Sequence, residues 1–554
     1  MVLEITTQQV VVLTIMAFIF GLDYIWVTPL GIWRPLIAGT LAGAVLGDPI
    51  TGLIIGALLE FTFAGLFTIG GGTVPEASSG AIAAVTVALA TGLPPTAAVP
   101  LAIPLAVLTM NIEIFVRSFD AVFTHWADRA IERGNLNMIP IINILGAVPW
   151  GLSRAIPVAG LTGLLAVNPQ AVQAAVDALQ VIHVGPFTIR FWDAMAVAGG
   201  VLPALGAAIL MRLMINRRNV ALFILGFALA AYLKLTLVAI ALIAGALIFF
   251  IYYNRYSQIF EGSLAGKQSG GLERPNHSSD TSEGGYGLAE TKRILTKSDI
   301  YKAFWVSWFI QSSWNYERMM GTGFLHGMLS IEKKLRRSFE ELKSWLRLHN
   351  EFYNTEPHLH NAIYGIAIAL EERNADQDTV RGVKTALMGP FAGLGDSIMW
   401  FTILPIAFLL GASLGAQGNP LGPVVALAIW IPVSWAVKYY SLVYGYRYGL
   451  SLAEILRGDV LKVFRDATAD FAMAIVGGIA ATYVRASTPL ILGEYGGQAL
   501  KLQPVLDQLM PSLLSLIFVL YAYYLIKVRG YGYGTAVIIL FVTAFILALI
   551  GFLG

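Results

Sequence analysis

Long apolar stretches limit what this chain can fold into. They cover roughly residues 8–22, 35–70, 79–112, 138–167, 192–215, 220–253, 385–413, 421–438, 468–485, 510–527 and 533–553. Of the 554 residues, 57% are hydrophobic and only 13% are charged, and the mean hydropathy is +0.70. Soluble globular proteins carry about 25% charged residues, and about 20 apolar residues span a bilayer as a helix. We therefore predict an all-α polytopic membrane protein.

A polar stretch divides these apolar stretches into two groups. It runs from residue 257 to 297 and includes the sequence GSLAGKQSGGLERPNHSSDTSEGGYG. This composition cannot bury enough apolar surface to fold alone, so it predicts a flexible linker. The linker would join a membrane domain at 1–256 to a second domain at 298–554. In that second domain, charged and aromatic residues between 299 and 380 predict amphipathic, partly cytoplasmic helices.

Basic residues place the polar stretch in the cytoplasm, because loops rich in Lys and Arg stay on that side. The 220–253 stretch, which begins after Arg217 and Arg218, must then enter and leave on the same side. Lys234 divides it into two parts that are each short for a spanning helix. We predict a re-entrant or tilted hairpin with Lys234 near the far side. The alternative is one long tilted helix in which Lys234 is paired or reaches the interface.

The stretch MGPFAGLGDSIMWFTILPI, residues 388–406, combines an apolar composition with helix breakers and one acid, Asp396. A carboxylate at the bilayer centre costs on the order of 3 kcal/mol or more, and breakers free backbone groups that lipid cannot satisfy. We predict that Gly389-Pro390 and Gly393-Leu394-Gly395 interrupt a helix. The interruption would let Asp396 face a polar cavity.

The stretch LGDPITGLIIGALLEFTFAGLFTIGGGTVPEASSG also combines apolar residues with helix breakers and acids. Asp48 and Pro49 suit the first turn of a helix, Glu60 falls within apolar sequence, and we expect the helix to end at Gly70-Gly71-Gly72. Glu76 follows before the next apolar stretch. Helices that break within the membrane expose backbone groups to a cavity, and transporters use them to bind polar solutes.

Acids inside apolar sequence can serve either structure or function. An acid near a helix end is usually a cap or a paired charge, which we favour for Asp48, Asp193 and Glu113. Deeper positions favour a functional role, which we assign to Glu60 and Asp396. For Asp23 and Glu76 the sequence leaves both interpretations open.

Two motifs in the second domain carry further candidates. SSWNYERMMGTGFLHG contains Asn315 and Glu317, which could bond a hydroxylated ligand, although Glu317 and Arg318 could also form a simple exposed ion pair. FYNTEPHLHNAIYG contains Asn354 and a His-x-His sequence. No matched ligand set accompanies the two histidines, so we expect no metal site.

Several kinds of chemistry have no sequence signal. No GxxxxGK[ST] motif for ATP is present, and none of the seven histidines is placed as an obvious phosphoacceptor. A net charge of +2 gives no reason to expect nucleic acid, and we expect no cofactor. The energy for any transport must come from an ion gradient or from another protein.

The motifs resemble a known family. LGDPITGLIIGALLEFTFAGLFTIGG, and the chain from about 4 to 256, resemble the C subunit of enzyme II of the bacterial sugar phosphotransferase system, mannose/fructose/sorbose family. FWVSWFIQSSWNYERMMGTGF, FYNTEPHLHNAIYGIAIALEE and GVKTALMGPFAGLGDSIMW, within about 297–554, resemble its D subunit. These subunits are usually separate chains. Here the linker joins them, and at about 5–6 Å × √n it can span about 35 Å.

The resemblance implies a mechanism and partners. A protomer of C and D binds a hexose or amino sugar between its halves, protomers form homotrimers in the bacterial cytoplasmic (inner) membrane, and a transport portion slides elevator-fashion against a scaffold. A separate phosphorylated enzyme IIB or IIAB subunit phosphorylates the sugar, so this chain would be the transport subunit, without phosphoryl chemistry of its own. Substrate identity stays open between mannose or glucose and N-acetylhexosamines.

Motif matching places a set of residues around the sugar. These are Glu60, Glu76, Asn315, Glu317 and Asp396, with Asp23 and Asn354 as weaker additions. Carboxylates can accept two hydroxyl hydrogen bonds at once, and an amide both donates and accepts. An ion-coupled secondary sugar transporter would use the same acids as ion sites, and a membrane scaffold or receptor would leave them unexplained. The D-subunit motifs favour the sugar permease.

Overall fold

The computed structural model describes residues 4–66, 74–184, 187–269, 294–335, 339–449, 459–495 and 498–554. Helices dominate the first half of the chain, which also holds one short hairpin. Its helices are α1 Thr7–Ile25, α2 Pro35–Leu46, α3 Pro49–Thr62, α4 Ala77–Thr91, α5 Pro95–Ala98, α6 Ala102–Phe119, α7 Ala121–Glu132, α8 Met138–Leu145, α9 Ala147–Val167, α10 Pro169–Ala178, α11 Phe191–Val201, α12 Pro203–Met214, α13 Val220–Ala231 and α14 Leu237–Ser269. A 3₁₀ turn, Val99–Leu101, follows α5, and the hairpin pairs β1 Ile182–Val184 with β2 Phe187–Ile189.

The second half of the chain is also mainly helical and also holds a short hairpin. Its helices are α15 Lys297–Val306, α16 Gly321–Leu335, α17 Phe339–His349, α18 His360–Glu372, α19 Gln377–Gly395, α20 Leu404–Gly415, α21 Leu421–Tyr448, α22 Asp459–Thr482, α23 Leu502–Leu509, α24 Leu513–Tyr523 and α25 Tyr533–Leu549. A 3₁₀ turn spans Ser307–Phe309, and π-helical segments span Asp396–Ile403 and Tyr524–Val528. The second hairpin pairs β3 Ile491–Tyr495 with β4 Gln498–Lys501.

Six helical stretches in the described residues are long and apolar enough to cross a membrane. A seventh forms if α23 and the stretch Leu513–Val528, which meet at 76°, count as one broken span. The six are Thr7–Ile25, Pro95–Glu132, Met138–Val167, Phe191–Met214, Gln377–Gly415 and Leu421–Tyr448. The prediction of an all-α polytopic membrane protein is thus confirmed.

The two halves of the sequence do not form two separate cores. Each of the two largest clusters of buried apolar side chains contains residues from both halves. The larger core cluster includes Leu36, Phe61, Phe408 and Val519, and the smaller core cluster includes Val116, Trp150, Phe324 and Trp345. Hydrogen bonds also cross between the halves: Trp430 Nε1 donates to the Thr28 carbonyl at 3.0 Å. The sequence boundary therefore marks a joint in the chain and not a boundary in the packing.

The stretch around Lys234 is a helix pair. Helices α13 and α14 are separated by a turn in which Lys234 adopts φ 54°, and both pack against α22. The alternative of one continuous helix is wrong, because the positive φ ends the first helix. Helix α14 continues to Ser269, so its end includes the first part of the predicted linker. Residues 270–293 lie outside the described part of the chain.

The helix before Asp396 continues through Gly389-Pro390, so the interruption predicted there is wrong in position, whereas Gly393-Leu394-Gly395 form the end of the helix. Helix α19 includes Pro390 and ends at Gly395, where the π-helical segment begins with Asp396. Proline removes one donor and leaves one carbonyl of the preceding turn without its partner. Pro390 nevertheless lies within α19, and the winding changes at Asp396. π-helical segments are rare in proteins, and those that occur often lie at functional sites.

Glycines let α2 and α3 approach closely. Gly39 and Gly43 of α2 face Gly52 and Gly56 of α3, in two GxxxG sequences. A Cβ atom at Gly52 would lie 2.8 Å from the Gly43 Cα atom and would overlap the Gly39 carbonyl oxygen. Small residues at such crossings are the usual basis of tight helix packing in membranes.

We expect Gly52→Ala to destabilise the protein by about 1–3 kcal/mol, the usual cost of overpacking, because backbone atoms cannot move aside as a side chain can. The thermal unfolding midpoint of the purified protein in detergent measures this. Gly160→Ala is the matched control, since a Cβ atom at Gly160 meets nothing within 4 Å. Equal midpoints for the two variants would show that the close crossing does not limit stability.

Candidate functional site

A polar cavity lies where the two core clusters and the two chain halves meet. Empty space between its walls, the open mouth included, amounts to about 1070 Å³. Its polar lining residues are Glu76, Glu113, Arg117, Arg154, Gln311, Asn354, Thr355 and Asp396, and its aromatic ones are Tyr24, Trp33, Trp150, Trp314 and Trp400. The first half supplies residues of α1, α6 and α9, the start of α4 and neighbouring loops. The second supplies loops, the end of α19 and the π-helical segment.

Glu76 combines two tasks at the start of α4. Its carboxylate caps the helix by accepting hydrogen bonds from the backbone N–H groups of Ser78 at 2.9 Å and Ser79 at 2.7 Å. An acid is favourable there because it satisfies free N–H groups and meets the positive end of the helix dipole. The same carboxylate lies 3.2 Å from Arg154 Nε.

Arg154 of α9 links two cavity acids. It contacts Glu76 and also lies 2.9 Å from a Glu113 carboxylate oxygen through Nη2. All three side chains are at least 95% buried, and the guanidinium lies 4.7 Å from the centre of the Tyr24 ring. Planar guanidinium groups suit such buried, multiply bonded positions. One cation thus compensates two carboxylates in this wall.

Arg117 of α6 adds a second cation. Its guanidinium lies between two indole rings, 5.4 Å from the centre of the Trp150 ring and 5.1 Å from that of Trp314. Aromatic faces attract cations, most strongly when both are desolvated. Because Trp150 belongs to the first half and Trp314 to the second, Arg117 connects the two halves at the cavity wall.

Asp396 stands on the wall that the second half of the chain supplies. Its carboxyl group lines the cavity at the start of the π-helical segment, and among the described residues no donor forms a hydrogen bond or ion pair with it. Asn354 lines the same wall, and its backbone N–H donates to Met388 Sδ at 3.4 Å. Both of these predicted residues lie where a ligand in the cavity could meet them.

A buried charged group supports that wall from behind. The Glu356 carboxylate accepts from the backbone N–H groups of His358 and Leu359, at 2.9 and 2.7 Å, and lies 2.6 Å from His358 Nδ1. Lys438 Nζ donates to the Pro357 carbonyl at 2.9 Å. A Cβ atom at Gly395 would lie 2.5–2.7 Å from atoms of the Glu356 side chain. The absence of a side chain at Gly395 therefore lets the helix lie directly against Glu356.

The structure places Glu60 and Asp23 away from the cavity. Glu60 is fully buried against Arg34, whose Nε donates to it at 2.8 Å, and it accepts from the Leu36 N–H. Asp23 accepts from the backbone N–H groups of Leu30 and Ile32, at 3.0 and 2.8 Å, and so fixes the loop before α2. Gly70-Gly71-Gly72, predicted to end the helix of Glu60, lie outside the described residues, and α3 ends at Thr62.

Asn315 and Glu317 also lie outside the cavity lining. The Asn315 amide donates to Thr124 Oγ1 at 2.9 Å, and its oxygen accepts from the N–H groups of Glu317 and Arg318. These bonds hold the turn of the NYER motif against α7. The Glu317 side chain is 41% exposed, 3.0 Å from His125 Nε2 and 3.7 Å from Arg318 Nε.

We expect Glu60→Gln to lower stability by about 3–5 kcal/mol, because the loss of one partner leaves a charge buried without compensation. Sugar affinity of the folded fraction should stay unchanged, since Glu60 does not line the cavity. Thermal unfolding and ligand titration of the same sample separate the two effects. Glu317→Gln, at an exposed acid, is the control that should change neither. A selective loss of affinity in Glu60→Gln would return Glu60 to the binding site.

Sequence reasoning missed the cations of the site. The cost of placing a charge in the membrane identifies Glu76 and Asp396 as candidates. The same cost applies to Arg117 and Arg154, which also lie within or beside apolar sequence. Glu113, predicted to be a cap or a paired charge, is paired with Arg154. Trp314, which the sequence analysis did not single out, also lines the cavity.

Fold and cavity together define a polytopic helical membrane protein with a site for a small polar solute. Comparison with known proteins narrows this class. The family model for the PTS system sorbose-specific IIC component matches residues 7–250, and that for the PTS system mannose/fructose/sorbose family IID component matches residues 294–553.

Curated relatives match the two halves separately. The mannose-specific EIID component of Escherichia coli (strain K12) is 33% identical over 248 residues, which are 43% of this chain and 88% of the relative. The mannose-specific EIIC component of the same strain is 34% identical over 241 residues, 44% of this chain and 86% of the relative. The sorbose-specific EIID component of Lacticaseibacillus casei is 34% identical over 245 residues, 43% of this chain and 87% of the relative.

The chain therefore belongs to the mannose/fructose/sorbose family of the phosphotransferase system, and it joins the C and D components in one polypeptide. It is a sugar permease of the bacterial cytoplasmic membrane. In the E. coli strain the two components are separate proteins, so the joint between the halves is the point where this chain departs from those relatives.

Proposed function

We propose that the chain binds a hexose or an N-acetylhexosamine in the cavity between its halves and releases it for phosphorylation by a separate, phosphorylated B subunit. The observation that carries this proposal is the make-up of the cavity. Carboxylate, guanidinium and amide groups line it together with indole rings, and both halves of the chain contribute to this lining. A sugar presents hydroxyls that suit the polar groups and C–H faces that suit the rings.

The residues proposed to contact the sugar are Glu76, Asn354 and Asp396, together with Arg154 and Gln311. Glu76 and Arg154 form a charged pair whose remaining lone pairs and N–H groups can face hydroxyls. Asp396 can accept two hydroxyl hydrogen bonds, because no protein donor in the described residues occupies it. Bonds to the sugar would then replace the water that a half-buried carboxylate needs.

Four residues predicted from motifs receive other roles in this proposal. Glu60 compensates Arg34, Asp23 fixes the loop before α2, Asn315 fixes the NYER turn, and Glu317 belongs to a partly exposed ion-pair group. Each contact restrains a segment that adjoins the cavity walls. We propose that these residues maintain the cavity and do not contact the sugar.

Movement of the sugar across the membrane is proposed to follow the elevator scheme within a homotrimer. The cavity is lined by Trp33 and Trp400, which pack in the larger core cluster, and by Trp150 and Trp314, which pack in the smaller one. A sugar would thus lie between two bodies that could slide past each other. Each body contains parts of both halves, so the moving portion would not coincide with C or D alone.

Uptake by membrane vesicles tests the proposed function. Vesicles that contain the chain are given radiolabelled D-mannose or N-acetyl-D-galactosamine, with phosphoenolpyruvate and the soluble phosphotransferase components present or omitted. We expect accumulation as the sugar phosphate only in the complete mixture. Uptake that ignores these components but collapses with a proton ionophore would instead show an ion-coupled secondary transporter.

A further inference from the structure

Three carboxyl groups line the cavity in the described residues, and their surroundings differ. Glu76 and Glu113 both lie against Arg154, at 3.2 and 2.9 Å. A carboxylate held by a guanidinium is a poor proton acceptor, because protonation would leave the cation buried without compensation. Asp396 lines the cavity from the second half of the chain, and no cation of the described residues pairs with it.

Phosphorylation of a sugar hydroxyl requires a group that receives the hydroxyl proton. A positioned carboxylate commonly does this in phosphoryl transfer, and proton acceptors of this kind contribute about 10²–10⁴-fold to a rate. The histidines of the described chain do not line the cavity, and His358, the residue after the lining residue Pro357, has its Nδ1 atom 2.6 Å from Glu356. The cavity therefore offers one carboxyl group suited to the task.

We propose that Asp396 is a catalytic residue of sugar phosphorylation, and that its carboxylate accepts the proton of the hydroxyl that attacks the phosphoryl group. This deepens the proposed function and rests on it. The sugar O–P bond forms while the N–P bond of a phosphohistidine on the partner protein breaks. The sugar hydroxyl proton passes to Asp396 and then to water, and the freed histidine nitrogen keeps the electron pair of the broken bond.

The local backbone fits this role. Asp396 is the first residue of the π-helical segment, and Gly395 before it packs against the Glu356 side chain. Glu356 is held in turn by two backbone N–H groups and by His358. A carboxylate on a supported helical segment keeps its direction into the cavity, which proton transfer needs more than binding does.

The test separates binding from transfer. Purified wild type, Asp396→Asn and Glu317→Gln are titrated with D-mannose and N-acetyl-D-galactosamine, and single-turnover phosphorylation of the bound sugar is then followed with a histidine-phosphorylated B component. Asparagine keeps a hydrogen bond to the hydroxyl but cannot take its proton. We expect Asp396→Asn to bind within about tenfold of wild type and to transfer at least 100-fold more slowly per bound sugar.

A control variant and chemical rescue by formate distinguish a catalytic role of Asp396 from a structural one. Glu317→Gln, at an exposed acid outside the cavity lining, should change neither binding nor transfer per bound sugar. Asp396→Ala should regain part of its transfer rate when formate is added, which a merely structural defect would not do. Wild-type transfer rates per bound sugar in Asp396→Asn would overturn the inference, and so would Asp396→Ala that is folded and inactive but unaffected by formate.

A misfolded Asp396→Asn still leaves the inference testable. Asp396→Glu retains the carboxylate, and the inference predicts that it transfers faster than Asp396→Ala; equal rates would overturn it. Failure of the proposed function looks different, because the wild type itself would then neither bind nor transfer to either sugar.

Discussion

Replacement of Arg154 by methionine is expected to lower the free energy of unfolding by about 3–5 kcal/mol, the usual result when one partner of a buried ion pair is removed. Arg154 is 1% exposed and compensates both Glu76 and Glu113. Its loss would leave two carboxylates close together in a poorly solvated wall. Thermal unfolding in detergent and the yield of monodisperse protein measure the effect, and sugar binding should disappear with it.

A combined variant tests whether the loss of charge compensation causes the destabilisation. Arg154→Met together with Glu76→Gln and Glu113→Gln removes all three charges, and replacing a buried charged group by neutral side chains is often tolerated. We expect this variant to recover much of the stability but not the sugar affinity. If Arg154→Met alone unfolds like the wild type, the charge compensation we describe does not hold the cavity wall.

Gly395→Ala is expected to reduce sugar uptake by about 100-fold, although it adds a single methyl group. The new Cβ atom would lie 2.5 Å from the Glu356 Cβ atom and 2.6 Å from Glu356 Oε2. Because Glu356 is fixed by His358 and by backbone donors, the helix must shift instead. Displacement of a functional group by about 1 Å can cost 10²-fold in rate, and Asp396 is the next residue.

Gly393→Ala is the matched control two residues earlier on the same helix. A Cβ atom at Gly393 meets nothing within 4 Å, so uptake should remain close to that of the wild type. Initial rates in vesicles, normalised to the amount of folded protein, give the comparison. Equal rates for Gly393→Ala and Gly395→Ala would mean that contact with Glu356 does not position Asp396.

The membrane class, the family and part of the site could be predicted from the sequence. Apolar stretches and their breakers are local signals, and so are acids within them. They identify Glu76, Asn354 and Asp396, which do line the cavity. The sequence predicts a break at Gly389-Pro390 and Gly393-Leu394-Gly395 but not the π-helical winding that begins at Asp396, because proline and glycine indicate a weakened helix but not how the backbone relaxes.

Partners distant in the sequence explain what could not be predicted. Glu60 reads as a lone acid, but Arg34 neutralises it from 26 positions away. The Asn315 amide finds Thr124 across 191 positions, from the other half of the chain. A buried polar group can bind a ligand or a neighbouring side chain, and which of the two it does depends on which helices pack together. Because both large core clusters contain residues from both halves, the local sequence does not indicate which helices are neighbours.

An electron cryo-microscopy map of the chain with D-mannose or N-acetyl-D-galactosamine tests the central claim, that the sugar binds between the two halves. We predict density for the sugar in the cavity, with hydroxyl oxygens about 2.5–3.2 Å from Asp396 on one wall and from Glu76 or Arg154 on the other. Sugar density beside Glu60 or at the exposed Glu317, with the cavity left to water, would contradict it.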